Sequence, residues 1–88
     1  MLNYKELINT AFDYQNEYQL QKSYLEVIKD KLDIIQPSLR VSELKSFHQE
    51  LIGFNHEHFL TCKEIDCKYP KFYPIIRDII YTLIEENE

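Results

Sequence analysis

The segment FNHEHFLTCKEIDC, Phe54 to Cys67, gathers two of the chain's three histidines and both of its cysteines. Imidazole nitrogens and thiolates are the usual ligands of a structural zinc, which takes four of them in closely spaced pairs. Successive residues on a helix are rotated by about 100°, so His56 and His58 point to nearly opposite faces and cannot share a metal. His58 and Cys62, four apart, could share one, with Cys67 joining from the following turn. The fourth ligand is then missing, because His48 lies ten residues before His58, about 15 Å along a helix. The spacing H-x-H-x3-C-x4-C matches no standard finger or ribbon. No metal and no cofactor are therefore expected. A small zinc-binding domain built on His58, Cys62 and Cys67 stands as a second alternative.

The same residues make poor catalysts. A nucleophilic cysteine needs its thiolate and an acid–base partner within reach. For Cys62 the only local partner is His58, and the neighbouring acids Glu64 and Asp66 oppose ionisation. Cys62 falls on the helical stripe of Phe47, Leu51, Phe54 and His58, where cysteine behaves as a small hydrophobe. The cysteines are not a C-x-x-C redox pair, and there is no glycine-rich phosphate loop or G-x-S-x-G elbow. The chain is not expected to be an enzyme.

Two other groups of residues suit binding better than catalysis. Glu26, Asp30 and Asp33 form a carboxylate line at i, i+4 and i+7, with Lys22 and Lys29 near it. Metal-dependent all-α pyrophosphatases need acids on two facing helices, so this line reads as a charged, solvated face. Tyr69, Phe72 and Tyr73 stand in KYPKFYP, between or beside two prolines. Residues before proline avoid the helical region, so this stretch is expected to be an extended or turned loop. Its aromatic rings would offer contact area at little entropic cost. Alternatively they fold back as a lid on the end of a bundle.

These residues must be positioned by helices. One glycine and three prolines in 88 residues leave few breakers. Tyr4, Leu7, Ala11, Tyr14, Tyr18, Gln21, Leu25, Ile28, Leu32 and Ile35 alternate steps of three and four, and only Gln21 is polar. That seam predicts one long helix from about Asn3 to Ile35, roughly 50 Å in length, ended by Pro37. A break near Gln15–Asn16 would divide it in two. QPSLRVSELK is predicted to be a connector, with Ser42 capping a second helix that kinks or breaks at Gly53–Asn55. Pro74 is placed at the first position of a final helix running to about Glu86. There Ile75, Ile76, Ile79, Ile80, Leu83 and Ile84 cover half the circumference and need more than one neighbour. The expected fold is a single all-α domain over residues 1–88. It is a small bundle with a long N-terminal helix, one or two middle helices and a short C-terminal helix. If the long helix overhangs its partners, its seam would support a homodimer.

Fifteen acids against ten bases give a formal charge of −5. Such a chain repels phosphate backbones and attracts basic proteins, so direct nucleic-acid binding is not expected. The N-terminal residues carry charges where a signal peptide needs an apolar run, and IIRDIIYTLI is too short to span a bilayer. The expectation is a cytoplasmic protein with reduced thiols and no membrane partner. Small acidic helical chains of this profile include bacterial immunity proteins, antitoxins and phage anti-defence inhibitors. The expected function is therefore a non-catalytic module that neutralises a basic, nucleic-acid-handling partner through Glu26, Asp30, Asp33, Tyr69, Phe72 and Tyr73. The alternative is a structural subunit that forms a homodimer.

Overall fold

The computed structural model describes residues 2–61 and 69–88, with side chains for 2–57 and 70–88. Among these residues there are four helices and no strand: α1 Tyr4–Phe12, α2 Glu17–Leu32, α3 Pro37–Thr61 and α4 Tyr69–Asn87. The all-α expectation holds, but three boundaries differ from those predicted.

The long first helix is divided. Asn3 caps α1 by accepting the Glu6 N–H at 3.1 Å, and α1 ends at Asp13. Asn16 then adopts an extended backbone (φ −150°, ψ 171°) and accepts the Gln19 N–H at 2.9 Å, starting α2 afresh. An asparagine side chain satisfies an otherwise orphaned N–H at a new start, and that local gain marks the break. The break also changes which residues face inward. In α2 the buried set is Leu20, Tyr24, Ile28 and Leu32, each four from the last. Three predicted seam positions, Tyr18, Gln21 and the partly buried Leu25, fall outside it, and Tyr18 is 70% exposed. The uninterrupted seam that would have supported a dimer is thus absent from the folded chain.

Pro37 does not end α2, which stops at Leu32 with Asp33 as its cap; it begins the next helix. It has no N–H to give, and the first turn of a helix has no acceptor for one, so it opens α3 at no cost. The predicted connector QPSLRVSELK is mostly helix as a result, and Ser42 lies exposed inside it rather than capping it. The turn before Pro37 is fastened by Arg40, whose Nε donates to the carbonyls of Leu32 and Ile35, both at 3.0 Å. Further on, α3 runs through Gly53 and Asn55 without a break. Among the described residues a Cβ at Gly53 would meet nothing within 4 Å, so the glycine serves no close approach to them.

The third difference is at KYPKFYP, which is helical from Tyr69 rather than a loop, with Pro74 inside α4. Pro70 lies in the first turn, where its missing N–H has no partner to lose. Pro74 forfeits one helical bond. The compensation is phase: Phe72, Ile76, Ile80 and Leu83 form one buried stripe that continues back through the proline. Partly buried Ile75, Ile79 and Ile84 widen this stripe. The predicted broad face of α4 is thus present, and it packs against α3, α2 and α1.

A single core joins all four helices. Tyr24 is fully buried at its centre, and its hydroxyl donates to the Leu7 carbonyl at 2.6 Å, tying α2 to α1. The Tyr14 ring meets Tyr24 edge-on at 6.2 Å. Phe12 stacks on Phe54 of α3 at 5.6 Å and on Phe72 of α4 at 5.8 Å. Glu43 of α3 holds the N-terminal segment, accepting from the Tyr4 hydroxyl at 2.6 Å and the Leu2 N–H at 3.4 Å. Burial and the Glu43 carboxylate raise the Tyr4 hydroxyl above its ordinary pKa, so Tyr4 remains a donor throughout the physiological range.

Candidate partner-binding site

The carboxylate line predicted from spacing survives in three dimensions. Glu26, Asp30 and Asp33 are exposed on the C-terminal half of α2, and Asp33 is the residue that ends the helix. The C-terminal end of α4 comes up beside them. Between the two helices lies a hollow of about 280 Å³ lined by Glu26, Lys29, Leu32, Asp30 and Asp33 of α2, Leu83, Glu86 and Asn87 of α4, and Arg40 of α3. Its ionisable lining is four carboxylates against two cations.

Both cations have partners. Arg40 is turned toward the two α2-end carbonyls. Lys29 Nζ lies 3.9 Å from Glu86 Oε2, a well-exposed pair whose contribution in water is small. The negative ends of two helix dipoles also meet here, and helix C-termini ordinarily favour cations. The last turn of α2 follows that rule with Lys29 and Lys31; that of α4 has no basic residue. Glu86 is the member of this site that spacing along the first helix could not supply. Its only signal is the acidic run EENE at a helix end where basic residues are preferred.

The aromatic residues do not join this face. Phe72 is only 2% exposed and stacks on Phe12, so it belongs to the core and, contrary to the expectation from sequence, offers no contact to a partner. Tyr73 is half-buried, with the Arg77 guanidinium 5.9 Å from its ring centre. The side chain of Tyr69 lies outside the described residues. Fourteen residues separate Phe72 from Glu86 along α4, about 21 Å. Acidic line and aromatic cluster are therefore at opposite ends of the helix and do not form one surface.

Of the proposed metal ligands, the His58 side chain, Cys62 and Cys67 lie outside the described residues. His56 is exposed. His48 stands against α4, its ring edge-on to Tyr81 at 5.0 Å, and its buried Nε2 has no hydrogen-bond partner among the described residues. Burial, then the nearby Arg77 charge, lowers its pKa below the ordinary 6.5, so the fold favours neutral imidazole. Among the described residues no three metal-binding side chains come together.

A second hollow, of about 200 Å³, lies against the same end of α2, facing α1. It is lined by Leu2, Leu7, Ile34 and Ile35, with Asn3, Glu6 and Lys31. Ile34 is 83% exposed. Among the described residues no helix is long and apolar enough to cross a membrane. No protein-family model, curated protein or solved structure matches the chain.

Proposed function

We propose that this chain is a non-catalytic binding module that neutralises a basic, nucleic-acid-handling protein, in the manner of an immunity protein, antitoxin or anti-defence inhibitor. The observation that carries the reading is the hollow between α2 and α4, where Glu26, Asp30, Asp33 and Glu86 converge. Carboxylates gathered at a helix end that locally favours cations run against stability, and such departures from local preference are characteristic of functional surfaces. A net charge of −5 extends the attraction for a basic partner beyond the hollow itself.

The test begins with affinity capture of a basic partner from the native host and proceeds to association kinetics. Association should slow as salt rises, because exposed charges are screened beyond about 8–10 Å at physiological ionic strength. Reversing Glu26, Asp30, Asp33 and Glu86 to Lys should slow association while leaving the helical spectrum intact. A captured partner whose association ignores both salt and these reversals would refute the reading.

A further inference from the structure

The two hollows share a wall. Lys31, Ile34 and Ile35 line the apolar one, while Glu26, Lys29, Asp30, Leu32 and Asp33 line the acidic one, so the last turn of α2 and the residues just after it form the ridge between them. On that ridge Asp33 and Ile34 are consecutive, one lining each hollow. We propose that the ridge and both hollows are one docking site for a basic amphipathic segment of the partner, which seats an apolar side chain beside Ile34 and a lysine or arginine among Glu26, Asp30, Asp33 and Glu86. This rests on the neutraliser reading and specifies the partner's chemistry.

Three observations support that occupant. The apolar hollow is floored by Leu2, Leu7 and Ile35, each under 10% exposed, while Ile34 stands 83% exposed at its edge. An exposed isoleucine beside a concave apolar floor gains when a second apolar group covers both. The adjoining charge selects what covers them. A second copy of the chain would bring another −5 to an acidic face, whereas a cationic segment meets complementary charge. The spacing is also defined. The ridge continues the end of one helix, about 10–12 Å across with its side chains, so the anchors of a test peptide are set about 10 Å apart. That is three residues along an extended segment, or seven along a helix.

The site can be tested without the natural partner. Full-length 15N-labelled chain is titrated with a Gly/Ser peptide carrying leucine and arginine three residues apart in two pairs, and with the same peptide having leucines replaced by serine or arginines by glutamine. Resonance shifts are expected around Lys31–Ile35, Leu7 and Glu86, with about tenfold weaker binding for either altered peptide. Ile34→Asp should weaken the parent peptide similarly and leave thermal unfolding unchanged, since Ile34 is exposed. Shifts confined to the acidic hollow, indifferent to leucine and to Ile34→Asp, would overturn the docking site yet leave the neutraliser reading standing. Absence of shifts at millimolar peptide would overturn the site. So would shifts at the apolar hollow that follow protein concentration without peptide, because they would assign it to a second copy.

Discussion

Replacing Tyr24 by Phe removes one oxygen from the middle of the core and leaves the ring in place. The residue is fully buried, and among the described residues its hydroxyl bonds to the Leu7 carbonyl alone, 2.6 Å away across the α1–α2 junction. That carbonyl lies inside α1 and also serves as the helical acceptor for the Ala11 N–H, so the substitution does not leave it bare. The expected loss is therefore that of one net hydrogen bond, about 1 kcal/mol, without a further charge for an unsatisfied group. Tyr24→Ala removes the ring as well and opens a cavity beside Tyr14, Leu20 and Ile28, for which about 3–5 kcal/mol is expected. Urea unfolding followed by far-UV circular dichroism measures both. The Phe variant should lower the midpoint at unchanged slope, and in a chain of this size about 1 kcal/mol corresponds to roughly 4–8 °C in melting temperature. A Phe variant as stable as the parent would show that this bond does not hold α1 in place. The assigned role of Tyr24 would then reduce to packing.

Two further substitutions probe α3. His48 has a folded-state pKa below its ordinary value, so the unfolded chain binds the proton more readily; its contribution is whole above about pH 6.5 and is lost as pH falls below that. Melting temperatures from about pH 7.5 to 5 should therefore fall more steeply for the parent than for His48→Gln, and identical slopes would contradict the buried imidazole. Gly53→Ala places a methyl where none of the described residues lies within 4 Å, in the interior of a continuous helix, and should stabilise by about 0.5–1 kcal/mol in the same urea assay. A destabilised Ala variant would restore the kink expected from the sequence.

What could be read from the residues was governed by range. The stripe of α4 was legible because Ile76, Ile80 and Leu83 repeat with a helical period and face one core. The seam from Tyr4 to Ile35 misled because apolar spacing carries no information about caps; Asn16 looks like any polar residue until its backbone is extended. KYPKFYP misled in the opposite direction. The proline rule is local, and it lost to the burial of Phe72 against Phe12, sixty residues earlier in the chain. Glu26, Asp30 and Asp33 were visible as a line on one helix. Glu86 and Ile34 were not, because their relation to that line exists only once α4 and α1 have packed around the end of α2.

The ring of Phe12 has a consequence for the order in which the molecule is built. It touches Phe54 and Phe72, which belong to different helices. A nine-residue helix is too short to persist in water by itself. As the chain leaves the ribosome, α1 emerges before every helix it packs on, yet its docking surface is incomplete until α4 has followed. Among the described residues α2 and α3 barely touch and meet chiefly through α4, so during synthesis the apolar face of Leu7, Ile8 and Ala11 waits uncovered until the last of the four helices has joined the other three.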